Sequence, residues 1–240
     1  MKGLDCLRQA FAWLKHKDLR QYIWLPLLIN VLLYGTGMWA LIRYFSALMN
    51  HFLPTDSWLA FLHWLLWPVI AVMIVVLVLY TFSLLANLIA APFNGFLAAK
   101  VEALETGQAP DSGMSLAAEI WQSIAQEIRK TYFFLLWAIP ILLTGFVPPL
   151  NLLTPFLWFA YSAYSAYLQY MDYPMANNGI FFTQQRPILR RRLSDIIGFG
   201  GIASFLLMIP LINLVAMPVS VIAATLHWVR HVRPNLPQTA

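Results

Sequence analysis

The chain has 240 residues, of which 60% are apolar and only 10% charged, with a formal net charge of +5. A soluble globule needs about a quarter of its residues charged, so this composition excludes one. The excess of Lys and Arg fits the cytoplasmic flanks of a membrane protein rather than nucleic-acid binding, and a single cysteine, Cys6, excludes a disulfide-stapled ectodomain.

Residues 1–20 mix Lys2, Arg8, Lys15, Lys17 and Arg20 with acids and lack the apolar core and cleavage site of a signal peptide, so they are expected to be a retained cytoplasmic segment. Four stretches free of Asp, Glu, Lys and Arg follow, at 21–42, 57–99, 131–171 and 196–229, and together they mark an integral membrane protein. At about 1.5 Å of rise per residue the first is just long enough to cross a hydrocarbon layer about 30 Å thick, giving a first span at 21–48. A second span at 57–91 is about 52 Å long if helical, so it crosses once and projects beyond the hydrocarbon or tilts. The join between them carries Asn50, His51, Pro54 and Asp56, as an extracytoplasmic turn would.

Residues 95–130 hold most of the acids of the middle of the chain, interrupted by the turn-like Gly107-Gln108-Ala109-Pro110-Asp111-Ser112-Gly113, and are expected to form cytoplasmic amphipathic helices. The last two apolar runs are each broken near the middle, by Pro148-Pro149-Leu150-Asn151 and by Pro210-Leu211-Ile212-Asn213. Proline removes a backbone donor and clashes with the preceding turn. The pieces before the breaks would be about 26 and about 21 Å of helix, too short for a bilayer in the second case. Two hairpins, 131–171 and 196–229, are therefore expected to enter the membrane part-way and return, with tips sheltered by protein or facing water. A cytoplasmic segment at 172–195 and a cytoplasmic tail at 230–240 complete a single membrane domain over 1–240. In this arrangement every Lys and Arg except Arg43 lies on the cytoplasmic side, with both termini there. Full-span versions of the hairpins would have the same parity, so length rather than charge argues for shallow insertion. The Pro/Asn signature recurs at Pro26 to Asn30, Pro149 to Asn151 and Pro210 to Asn213, with Pro92-Phe93-Asn94 a looser relative, which hints at an internal duplication of the kind found around transporter sites.

Zinc-type Cys/His spacing, a phosphate-gripping glycine loop, a nucleophile elbow and a His-Glu metalloprotease motif are all missing, so the sequence points away from an enzyme and calls for no cofactor or metal. The five histidines are scattered and are read as solvated interfacial groups. The apolar stretches hold no carboxylate, leaving amides, hydroxyls and aromatic rings with Lys and Arg at the cytoplasmic mouths, a set suited to an anion. The most pointed local constellation is Lys17-Asp18-Leu19-Arg20-Gln21 just before the first span. A helix start there presents unpaired N–H groups, and Arg20 adds a planar fork that matches an oxyanion such as sulfate. The plain alternative is that Lys17 and Arg20 only mark the inner interface. Arg190-Arg191-Arg192 similarly fits an anion entrance or a contact with acidic lipid headgroups.

The order and content of four motifs resemble the CysZ sulfate permeases of bacterial inner membranes over most of the chain. They are Leu19-Arg20-Gln21-Tyr22-Ile23-Trp24-Leu25-Pro26-Leu27-Leu28-Ile29-Asn30, Ala86-Asn87-Leu88-Ile89-Ala90-Ala91-Pro92-Phe93-Asn94-Gly95, Tyr170-Met171-Asp172-Tyr173-Pro174, and Met208-Ile209-Pro210-Leu211-Ile212-Asn213-Leu214-Val215-Ala216-Met217-Pro218. The resemblance implies sulfate uptake feeding cysteine biosynthesis, a homo-oligomer, and two long membrane helices with half-penetrating helical pairs. It also implies that a Gly-hydrophobic-Arg-Arg stretch before the first span binds sulfate. Its positions here are Asp18, Leu19, Arg20 and Gln21, so only the first arginine is kept and the local charge is lower than the family pattern. Sulfate is expected to meet Leu19, Arg20 and Gln21, with Lys17, Asn30, Asn94, Lys100 and Glu102 as further groups of the pore or its mouth. Two other readings fit the composition: a non-transporting membrane scaffold, and a permease for sulfite or thiosulfate. Polar hairpin tips need shelter, which independently favours association with further copies and with lipid.

Overall fold

The computed structural model describes residues 2–52, 60–208 and 210–236, and the regular elements among them are all helical. They are α1 (Lys2–Trp13), α2 (Arg20–Phe52), α3 (Ala60–Thr106), α4 (Leu116–Thr144), α5 (Thr154–Asn177), α6 (Phe182–Leu189), α7 (Leu193–Asp195), α8 (Gly201–Met208) and α9 (Pro210–His227), with 3-10 turns at Lys17–Leu19, Leu150–Leu152 and Arg233–Asn235. Two π-helical segments, Ile196–Gly200 and Trp228–Val232, join α7 to α8 and prolong α9. The turn expected around Pro54 and Asp56, the start of the second span at 57–59 and the tail at 237–240 lie outside the described residues.

Isolated prolines do not stop these helices. Pro26, Pro140, Pro174 and Pro218 all sit inside α2, α4, α5 and α9, and α3 runs on through Pro92. One missing donor is tolerable where neighbouring helices cover the freed carbonyl. The adjacent pair Pro148-Pro149 removes two donors in succession, and there the chain does turn, between Thr144 and Thr154. The two hydroxyls at the helix ends meet at 3.0 Å, and farther down Tyr161 Oη donates to the Phe134 carbonyl, 2.9 Å. Where the sequence separates spans from amphipathic helices at 91–95 and at 130–131, the backbone does not break. A change from apolar to charged side chains marks a change of surroundings, and a helix passes through it unaltered. The loop at 107–113 does separate α3 from α4. Gly107 takes a φ of 77° and returns its N–H to the Ala103 carbonyl, 2.9 Å. Ser115 caps α4 by accepting from Ala118 N–H, 3.4 Å.

The chain divides into two compact units, Met1–Trp24 with Ala91–Ala240, and Leu25–Ala90. In the first, α5 is the central element and packs against α4, α6, α8, α9 and the Ile196–Gly200 segment, while α1 lies along α9. Its core draws Cys6, Leu7 and Ala10 from α1, Ala163 and Tyr167 from α5, Phe199, and Val219, Ile222 and Ala223 from α9. The second unit is made of α2 from Leu25 onward and of α3 as far as Ala90. Many of its described apolar side chains, among them Val31, Trp39, Ile42, Val72, Met73 and Leu77, stand exposed. An apolar surface of this extent is stable only against lipid or another protein. Among the described residues, two helices are long and apolar enough to cross a bilayer, Lys17–Phe45 and Val215–Asn235, the first scarcely covered by protein and the second mostly buried.

Candidate functional site

The residues singled out before the first span form a continuous helix start. His16, in extended conformation, precedes the 3-10 turn, and Leu19 and Arg20 N–H return to the His16 and Lys17 carbonyls. The unused donors at this end are therefore the N–H groups of Lys17 and Asp18, two residues earlier than a start at Arg20 would place them. Leu19 is fully buried and contributes packing and backbone, not a side-chain contact to a ligand. Lys17, Arg20 and Gln21 are exposed, and among the described residues neither cation has an ion-pair partner. Asp18 faces His16 instead, Oδ2 to Nδ1 at 3.9 Å.

The other expected site residues divide into free and engaged groups. Lys100 is half-buried without an ion pair among the described residues. Asn94 is buried, its Nδ2 donating to Tyr173 Oη at 3.3 Å and approaching Met217 Sδ at 3.6 Å. Glu102 is fully buried beneath Asn178 and Arg233, accepting at Oε2 from Asn178 Nδ2 at 3.0 Å and at Oε1 from Arg233 Nη1 at 3.0 Å. The side chain of Asn30 lies outside the described residues. In the arginine run, Arg190 and Arg191 are exposed while Arg192 donates to the His231 carbonyl at 3.2 Å and stands 3.8 Å from Asp195.

Burial raises the Glu102 carboxyl above its ordinary value, against the opposing pull of Asn178 and Arg233. A group raised on folding adds stability below the ordinary carboxylate range and loses that contribution as pH rises through its elevated value. Glu102→Gln keeps an acceptor for Asn178 and carries no charge to desolvate. The melting temperature of the variant relative to wild type is therefore expected to increase between pH 5 and pH 8. A difference that stays constant across that range would show that the carboxylate is ionised throughout.

The structure also assembles a buried polar cluster that the sequence does not announce. Lys130 Nζ lies 2.8 Å from Glu127 Oε2 and 2.8 Å from Asp172 Oδ2, with all three side chains almost wholly removed from solvent. Gln169 donates to Glu127 at 3.0 Å and to Tyr173 Oη at 3.2 Å, Gln185 donates to Asp172 at 2.8 Å, and the ammonium sits 4.8 Å from the centre of the Tyr173 ring. Burial alone would favour the neutral amine, but Asp172 and Glu127 outweigh it and hold the Lys130 pKa above its usual value. Two carboxylates thus sit at the edges of the apolar run 131–171. The run itself holds neither, and the sequence signals are that Lys130 and Asp172 bracket it and that Asp172 and Tyr173 fall in the Tyr170-Met171-Asp172-Tyr173-Pro174 motif. Lys130 is neutralised by two carboxylates and closed off from solvent, so the cations open to an incoming anion are those without carboxylate partners, Lys17, Arg20 and Lys100 among them. The reading of the histidines as solvated also needs correcting for His227, which is fully buried beneath Phe199 and Tyr167.

Comparison with known proteins places this geometry in a family. Residues 6–218 match the family described as sulfate transporter CysZ/etoposide-induced protein 2.4. The chain is 35% identical over 234 residues to the sulfate transporter CysZ of Pseudomonas aeruginosa (strain LESB58), covering 96% of this chain and 95% of that protein. It is 36% identical over 234 residues to the protein of the same name from Pseudomonas fluorescens (strain Pf0-1), with coverages of 96% and 94%. With that of Pectobacterium atrosepticum it shares 40% identity over 228 residues, 92% of this chain and 82% of the relative. Similarity of this extent, on an all-helical chain with helices fit to cross a bilayer, makes it a membrane protein of the sulfate transporter CysZ/etoposide-induced protein 2.4 family.

Proposed function

We propose that this protein carries sulfate across the bacterial inner membrane as a channel or permease, supplying sulfur for cysteine biosynthesis. The observation that carries the reading is the near full-length similarity to relatives that bear the name of sulfate transporters. The head of α2 supports it physically. Lys17, Arg20 and Gln21 are exposed beside free N–H groups at the positive end of a long helix, where a dianion gains from charge, dipole and directed donors together. Lys100 is assigned to the same mouth. Asn94 and Glu102 already have internal partners, so the proposal does not depend on them.

The finer architecture belongs to the same proposal. The α4–α5 and α8–α9 pairs enter the bilayer part-way, both termini are cytoplasmic, and several copies associate with lipid around them. The exposed apolar surface of α2 and α3 and the shortness of α8, the first leg of the second pair, support this arrangement.

Reconstituted vesicles test the function. Radiolabelled sulfate should enter proteoliposomes faster than protein-free vesicles, and uptake no faster than in those controls, across several lipids and pH values, would refute transport. Losing one charge-assisted, forked contact costs about 1.5–3 kcal/mol, so Arg20→Ala should weaken the apparent sulfate affinity about tenfold or more. Arg20→Lys should lie between. Unchanged affinity in Arg20→Ala would remove the site while leaving the transport reading in place. Competition by sulfite and thiosulfate in the same vesicles sets the order of preference among the oxyanions.

A further inference from the structure

We propose that Cys6, His227 and His231 bind a transition-metal ion of the zinc class, at a site that ties the N-terminal helix to the end of α9. The proposal is independent of the sulfate reading. One donor atom from each of the three side chains lies within 4.8 Å of the other two. The donors come from elements the fold brings together, α1 and the C-terminal part of α9 with its π-helical extension. His227 and His231 are four residues apart, so they stand on one helix face, with ring centres 5.5 Å apart. Helices with two histidines at this spacing present both rings to one ion.

The surroundings of His227 point the same way. Its Nε2 faces Asp195 Oδ2 at 3.4 Å and Tyr167 Oη at 3.4 Å. Its Nδ1 is fully buried and has no hydrogen-bond partner among the described residues. A buried ring nitrogen without a partner costs free energy unless something accepts its lone pair or proton. A carboxylate on the far nitrogen fixes the tautomer that leaves Nδ1 as a lone-pair donor, the arrangement that supports metal-bound histidines. Cys6 is likewise buried, among the apolar residues of α1 and α9, with no hydrogen bond of its own among the described residues.

The donor set selects the ion. One thiolate and two imidazoles suit a borderline or soft ion and are poor ligands for magnesium or calcium. Metal–sulfur and metal–nitrogen bonds of about 2.3 and 2.0–2.1 Å require the three donors to draw in by roughly an ångström, within reach of side-chain rotation. Three protein ligands leave a fourth position for water, and half-buried His231 supplies the side from which an ion can enter. Without metal, burial pushes the Cys6 thiol up to about 11. Binding therefore displaces the thiol proton to solvent, and metal affinity must rise with pH.

Cobalt(II) reports such a site directly, because thiolate coordination gives a charge-transfer band in the near ultraviolet. The full-length protein, purified in mild detergent with any affinity tag removed and then stripped by chelator, should take up one equivalent of cobalt with that band. Zinc should displace the cobalt and raise the melting temperature. Cys6→Ser should abolish the band, and His231→Gln should weaken cobalt binding at least tenfold. A stripped wild-type protein that shows no band overturns the proposal whatever the variants do, and so does an undiminished band in Cys6→Ser.

Discussion

Replacing Lys130 by alanine is expected to destabilise the protein by about 3–5 kcal/mol, the usual consequence of removing one partner from a buried ion pair. The geometry explains why the figure belongs at that level. Lys130 is 1% exposed and contacts Glu127 and Asp172 at 2.8 Å each. Its loss leaves two carboxylates in a dry pocket with only the amides of Gln169 and Gln185 to stabilise them. At about 2–4 °C per kcal/mol for a chain of this size, melting should fall by about 6–20 °C, measured by tryptophan fluorescence in detergent. Lys130→Met fills much of the volume and should be nearly as damaging, because the unpaired charges dominate over the cavity. Adding Asp172→Asn to Lys130→Met should restore part of the loss, since one of the two orphaned charges is then gone. If the double variant melts lower than Lys130→Met, the cost lies in packing and the electrostatic account fails.

How much of this could be read beforehand differs between fold and site. Helical class and membrane character follow from composition and from runs without charge. The turn between α4 and α5 is visible in Pro148-Pro149, where two consecutive residues lack donors. The break expected at Pro210-Leu211-Ile212-Asn213 is instead the helical start of α9, and Ile209, between α8 and α9, lies outside the described residues. The continuity of α3 through Pro92 and of α4 through Lys130 is not legible, because the sequence marks where surroundings change and the backbone is indifferent to that change. At the head of α2 the sequence marks a helix start within Lys17 to Gln21 but does not say which N–H groups it leaves open. A 3-10 turn from Lys17 to Leu19 uses the N–H groups of Leu19 and Arg20 and moves the open end upstream.

The buried clusters were hidden for a different reason. Glu127 and Lys130 are separated from Asp172 by more than forty residues, and Cys6 is more than two hundred residues from His227. No spacing rule connects them, and only the packing of α4 and α5 in one case and of α1 and α9 in the other brings them together. Reading each histidine alone favours a solvated ring. The burial of His227 is a property of α5, α9 and the Ile196–Gly200 segment jointly, so no local window could reveal it.

The second large effect is expected at Gly200, in the π-helical segment that crosses α5. A β-carbon there would fall inside the carbonyl oxygen of Ala163, 2.9 Å from the carbonyl carbon and 3.1 Å from Tyr167 Cβ. Overpacking usually costs about 1–3 kcal/mol when side chains can rotate away. Here the obstacle is backbone in the middle of α5, so the segments must separate, and the cost for Gly200→Ala should be about 3 kcal/mol or more. The separation would also loosen Phe199, whose ring lies 5.9 Å from Tyr167 and 6.5 Å from His227. Gly198, two residues earlier in the same segment, is the matched control, with nothing within 4 Å of the β-carbon position. Gly198→Ala should be neutral or stabilising by about 0.5–1 kcal/mol, because alanine restricts the unfolded chain more than glycine does. Melting temperatures of the two variants should therefore move apart, Gly200→Ala far below wild type and Gly198→Ala at or above it. Equal shifts would mean that α5 and this segment are not in the close contact on which the core of the larger unit depends.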